Sequence, residues 1–280
     1  MRDEDRLDLP PDDFRRMRAL LAPHIFADPG TGHDLPPTEL VSEETWADVV
    51  DLPTDVALRT SSHQGRILDA LHSLEVGWVF SWPNPGEAPF MDEPALLAGE
   101  EFDAVVFNAV HGYYRQAIGC LRNALEVLTV AAGLAVTDNR RLCERWRDGQ
   151  EISFGQARTW LRDSAVGRKV DRVALPSSVL GDGNSAWLKR VYARLCGYAH
   201  SRAGYNNADF WESNGPVYVP RALQVVEEEL RETLVISYLL LRLAWPEFRA
   251  TDAVHALLAD PRPRWAEFVT LLRSWLLAPS

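Results

Sequence analysis

The chain has 280 residues, 46% of them hydrophobic and 25% charged, with a formal net charge of −11 at pH 7. That apolar fraction suits a packed core and excludes a disordered chain, while the acidic balance excludes a protein that binds nucleic acid over its whole surface. No uninterrupted apolar run reaches the ~18 residues of a membrane span, and the start, Met1-Arg-Asp-Glu-Asp-Arg6, lacks the apolar stretch of a signal peptide.

A cytoplasmic protein with no membrane partner is therefore expected. Charge is unevenly placed: residues 1–100 carry 7 basic and 20 acidic side chains, whereas residues 140–202 carry 13 basic and 6 acidic. This divides the chain into an acidic N-terminal region, 1–98, and a helical bundle domain, 99–280. The basic segment is either a local phosphate-binding surface or the electrostatic counterpart of the acidic region.

Residues 1–60 are broken repeatedly by Pro10-Pro11, Pro23, Asp28-Pro-Gly30 and Pro36-Pro37, leaving short helices near 12–21 and 42–50. A helix is expected over 61–78, with Ile67, Leu68, Leu71 and Leu74 on one face, ended by Trp82-Pro-Asn-Pro-Gly86. The strongest periodicity runs from 100 to 136, where apolar residues recur at steps of three and four and predict one long amphipathic helix. Its polar residues His111, Arg115, Arg122, Glu126 and Thr129 fall within about 60° of one another at ~100° per residue. They form either a solvated face with an Arg122–Glu126 pair or a stripe lining a polar site.

Shorter helices follow over 140–147 and 153–164, the second with Ser153 as N-cap. A further helix is predicted over 185–200, with Arg194 off its apolar face. The segment 201–220 is rich in Asn, Gly and aromatics; Tyr205, Asn206, Asn207, Trp211 and Asn214 make it a candidate binding loop. Pro220 opens a helix that reaches Trp245 and stops at Pro246, and two shorter pieces near 253–258 and 264–277 finish the chain. The fold class that emerges is all-α, an antiparallel helical bundle behind an irregular, Pro-broken N-terminal region.

No dinucleotide fingerprint, P-loop, HExxH or nucleophile elbow is present. Cys120, Cys143 and Cys196 make no CxxC pair and read as free thiols. Cys196 and His200 stand four apart on a helix, but two ligands without a third do not make a metal site. Neither a metal nor a cofactor is expected. The segment that points to chemistry is Tyr192-Ala-Arg-Leu-Cys-Gly-Tyr-Ala-His200. Arg194 carries a permanent charge and His200 titrates near neutrality, a pair suited to stabilising and protonating a phosphate ester.

Tyr114-Arg-Gln-Ala-Ile-Gly-Cys-Leu-Arg-Asn-Ala-Leu-Glu126 is similar to the "A…LR..LE" helix of HEPN-like bacterial proteins, and the helix ending at His200 resembles their later "Y..L...H" helix. The resemblance covers roughly residues 100–245. It implies an all-helical bundle and a homodimer. In the ribonuclease branch it also implies an Arg-x(4–6)-His motif acting on RNA without metal, in toxin–antitoxin or antiviral defence. Arg194 and His200 fit that spacing, although Leu195 stands where a polar residue is usual. Three functions remain open: a metal-independent endoribonuclease using Arg194 and His200, with Arg122 and Glu126 in support; a non-catalytic helical interaction module, with a protein antitoxin or regulator as partner; or a small-molecule-binding protein using the 201–220 loop.

Overall fold

The computed structural model describes residues 43–82, 88, 90–199 and 215–277. The chain divides into two compact units, Met1–Trp46 and Ala47–Ser280, and the account below concerns the second. The short helix expected at 12–21 lies outside the described residues.

Every regular element among the described residues is helical. A π-helical turn, Ala47–Asp51, runs into α1 (Leu52–His63) and then α2 (Gly65–Val79). There follow α3 (Asp92–Val110), α4 (Tyr114–Thr137), α5 (Arg140–Arg147), α6 (Phe154–Asp163) and α7 (Ala165–Val173). The last four are α8 (Trp187–Ala199), α9 (Pro220–Ala244), α10 (Asp252–Ala259) and α11 (Ala266–Leu276). The all-α bundle expected from the periodicity is what the chain forms.

Helix α4 is the hub and packs against α3, α9, α6 and α8. Ala117, Leu121, Ala124, Leu125 and Leu128, the apolar positions of its repeat, are fully buried. By length and composition α4 alone, among the described helices, is apolar enough to cross a membrane, yet 67% of its apolar window is buried inside the bundle. The bundle therefore accounts for its hydrophobicity. At its C-terminal end Val130 and Leu134 form a second small core with Ile152 and Ala157. Gly133 permits this contact, because a Cβ there would lie 2.9 Å from the Ala157 carbonyl oxygen.

The expected single helix over 100–136 is two helices that fold back on each other. The break is at His111-Gly112-Tyr113, where Gly112 takes φ +81°, a conformation that side chains with a Cβ resist. The Tyr113 amide donates to the Asn108 carbonyl at 2.8 Å. The turn is pinned from outside: a Cβ on Gly112 would stand 2.3 Å from the Val217 carbonyl oxygen, and the Tyr114 hydroxyl accepts from the Val219 amide at 3.0 Å. The lead into α9 is thus fastened to the α3–α4 turn. The expected 61–78 helix is likewise divided at Gln64, and α7 is an additional element.

Helix α3 runs through the 98/99 boundary suggested by charge, and α2 packs on both α3 and α9. Trp78 of α2 is fully buried, donates its indole N–H to the Ala95 carbonyl at 3.1 Å and meets Phe102 edge-on at 5.3 Å. Helices α2 and α3 therefore belong to the same core as the later helices. Ser153 caps α6 as expected, accepting from the Gln156 amide at 3.2 Å.

The glycines yield a test with opposite signs. Gly112→Ala is expected to destabilise the fold by about 1–3 kcal/mol, since it adds a left-handed penalty to an overpacked contact. Gly119→Ala, on α4 with open space at its Cβ, is expected to stabilise it by about 1 kcal/mol. Urea denaturation of both variants measures the difference.

Candidate functional site

Helix α8 buries Trp187, Leu188, Val191 and Leu195, which leaves Arg194 beside the apolar face, next to α9. From residue 229 to 243 every position of α9 except Arg231 is buried. Two of those positions are Glu229 and Glu232, whose side chains are 1% and 0% exposed. Arg194 meets Glu229 in a bidentate fork, Nε to Oε1 at 2.9 Å and Nη2 to Oε2 at 2.7 Å, and its Nη2 also donates to Glu232 Oε2 at 2.6 Å.

A second arginine completes the set. Arg264, from the Pro261-Arg-Pro-Arg264 segment between α10 and α11, reaches Glu229 Oε1 at 2.9 Å and Glu232 Oε2 at 2.7 Å. The Trp187 indole N–H donates to the remaining oxygen, Glu232 Oε1, at 2.8 Å. Two guanidinium groups and two carboxylates cancel in charge, and all four carboxylate oxygens have donors. Burial draws the Arg194 pKa down, but Glu229 and Glu232 more than offset this, and the net shift is upward. Beside this group Arg262 and Arg231 both pair with Glu227.

A second polar joint links α4 to α8. Arg122 pairs with Glu126 at 2.7 Å and donates to the Tyr192 hydroxyl at 2.9 Å. Tyr192 also hydrogen-bonds Glu126, closing a triangle; burial first, then Glu126, holds its phenol pKa above the ordinary value. The Tyr192 ring stacks on Phe154 of α6, with centroids 3.7 Å apart and planes within 7°. Glu126 is half-buried and paired, as a carboxylate at a helix contact must be.

The polar stripe 111–129 is not one surface. His111 caps α3, with Nδ1 2.8 Å from the Phe107 carbonyl and its ring against Phe107; the break at Gly112 separates it from α4. Arg115 shares the Arg122 face at i,i+7 and is half-buried. Thr129 is fully buried and donates to the Leu125 carbonyl at 2.7 Å. His200 and the loop residues Tyr205, Asn206, Asn207, Trp211 and Asn214 lie outside the described residues.

Glu229, Glu232, Arg264 and Trp187 were not expected at the site. The available signal was an acidic run, Glu227-Glu228-Glu229-Leu-Arg-Glu232, inside an otherwise apolar helix. Among the described residues no group of three or more His, Cys, Asp or Glu is placed to hold a metal ion. The three thiols are free. That of Cys120 is pushed up to about 12, first by burial and then by Glu101.

No family model matches this chain, and neither a curated protein nor a solved structure matches it.

Removing one cation from the buried set leaves a carboxylate uncompensated. Arg194→Met is therefore expected to destabilise the protein by about 3–5 kcal/mol, read by urea denaturation. Cys120 is expected to resist iodoacetamide at pH 8, because the thiolate is the reactive form and its pKa of about 12 keeps it protonated. Its labelling should rise as pH approaches that value, and Glu101→Gln, which removes a nearby negative charge, should shift the profile to lower pH; mass spectrometry of the labelled peptide checks both.

Proposed function

We propose that this chain is a non-catalytic helical interaction module. The observation that supports this reading is the engagement of Arg194 by Glu229 and Glu232. A catalytic arginine must present net positive charge to a developing phosphorane. Arg194 could do so only by leaving two buried carboxylates, at a cost of about 3–5 kcal/mol. That is as large as the ~3–4 kcal/mol that one preorganised donor contributes to a transition state. The chemistry would gain nothing on balance.

In this reading Arg122, Glu126 and Tyr192 fix the register of α4 against α8, and Arg194 and Arg264 fix α8 and the C-terminal segment against α9. The HEPN resemblance supports a cytoplasmic setting in defence or toxin–antitoxin function, a homodimer, and a protein antitoxin or regulator as partner. The metal-independent ribonuclease, with His200 shuttling the proton, is the competing reading.

Incubating the full-length protein with total RNA in EDTA separates the two. No cleavage above the buffer control is expected. Cleavage by the native protein that disappears in a folded His200→Ala variant would overturn the module reading.

A further inference from the structure

The excess of basic residues over 140–202 is not all available to a partner. Arg158 is buried and donates to the Leu180 carbonyl at 2.8 Å and to Asp182 at 2.9 Å. Arg162 forks onto Asp163 at 2.7 and 3.0 Å and also pairs with Asp182. Asp171 accepts the amides of Val179 and Leu180 at 2.8 and 3.0 Å, which staples the loop after α7. These groups are internal fittings of the α6–α7 corner.

The cations of α7 differ. Arg168 donates to the backbone carbonyl of Asp163, and Arg172 donates to that of Arg168 at 3.3 Å. A neutral carbonyl holds a guanidinium in place without cancelling its charge. Both arginines are exposed, as is Lys169 between them. Arg168 and Arg172 line an open hollow of about 340 Å³ together with Arg162, Asp163, Asp171 and Leu175. Leu175 is 65% exposed and its neighbour Val173 is 42% exposed.

We infer that the hollow beside α7 is a docking site for an acidic peptide segment that carries an apolar side chain. Charge complementarity supplies the first part: three arginines against Asp163 and Asp171 leave the hollow net positive, and guanidinium groups suit carboxylates bidentately. The leucine supplies the second, since an apolar side chain gains by covering it. A nucleic-acid backbone fits less well. Its charge repeats every few ångströms and would run across Asp163 and Asp171, and phosphates gain nothing from Leu175 and Val173. A peptide can place its carboxylates on Arg168 and Arg172 and lay a side chain between them. The volume is at the low end of pockets that hold a small group, which suits one or two side chains.

This inference rests on the reading of the chain as an interaction module, and binding and RNA cleavage are read separately, so either can fail alone. The experiment is fluorescence anisotropy on the full-length protein. The probes are a labelled short peptide of glutamates and leucines, the same peptide with every Glu replaced by Gln, the same with every Leu replaced by Ser, and a single-stranded RNA of similar length. The Glu/Leu peptide is expected to bind best, and the Gln/Leu peptide about tenfold or more weaker. Arg168→Glu/Arg172→Glu should weaken the Glu/Leu peptide by about tenfold or more, and Leu175→Ser should weaken it without altering the peptide in which every Leu is replaced by Ser. Arg140→Glu/Arg141→Glu on α5 should leave it unchanged. All the substituted residues are exposed, so melting curves should match the native protein; Arg172→Gln serves in place of the Arg168→Glu/Arg172→Glu variant if that does not fold. Absence of Glu/Leu binding, binding that ignores the α7 charge reversal, or tighter binding of RNA lost in that same variant would each overturn the inference.

Discussion

Glu229 and Glu232 lie on the inner face of α9, where water does not reach them. An isolated buried carboxylate is untenable, so the fold must bring cations and donors to both. It does so from two separate parts of the chain: Arg194 and Trp187 from α8, and Arg264 from the segment before α11. Helix α9 continues as a buried, mostly apolar rod, including Leu239, Leu240 and Leu241, with Arg242 near its end donating to the Phe248 carbonyl. Such a surface specifies burial but not rotation. Charged hydrogen bonds at one end of the rod are directional, and they set the angle at which the apolar end enters the core. A buried ion group of this kind adds little net stability over a hydrophobic replacement; its contribution here is to which neighbour sits where.

The joint between α4 and α8 works by the same principle at lower burial. Arg122, Glu126 and Tyr192 satisfy one another, and the flat contact of Tyr192 on Phe154 extends the joint to α6. Helix α8 is thus held by directional bonds on two sides, to α4 through Tyr192 and to α9 through Arg194. Both of its polar anchors come from the stretch that, as sequence, looked most like a reactive site. A guanidinium poised for phosphate and one that neutralises buried glutamates have the same side chain and the same spacing to a following histidine. Only the acceptor distinguishes them.

That difference explains what was legible beforehand. The apolar repeats located α4 and α9 and the caps located α6, because helix period and N-cap chemistry are local. The break at Gly112 was not legible, since a lone glycine in a helical pattern is tolerated. Here the turn depends on Val217, more than a hundred residues later, with the Tyr114–Val219 bond beside it. Helix α7 is only nine residues long, so its apolar positions recur too few times to mark it. Arg194 was legible as a residue off the apolar face, but its meaning was not. The carboxylates that engage it are 35 and 38 residues away, and Arg264 lies 35 residues beyond Glu229.

The formal charge of a segment is therefore a poor guide to what it can hold. Arg158, Arg162 and Arg194 contribute three positive charges to the basic stretch, yet Asp182, Asp163, Glu229 and Glu232 neutralise them within the fold. Arg168 and Arg172 count the same in the sequence but donate to backbone carbonyls, and with Arg162 they outnumber the carboxylates of Asp163 and Asp171 beside them. Two arginines fixed in position also lose less freedom on meeting a carboxylate than two mobile side chains would. A surface charged in this selective way, with Leu175 exposed inside it, is matched to a partner with a few carboxylates at set spacing. A continuous polyanion would need uncompensated cations along a track, and the internal pairing of Arg158, Arg162 and Arg194 removes those positions from any such track.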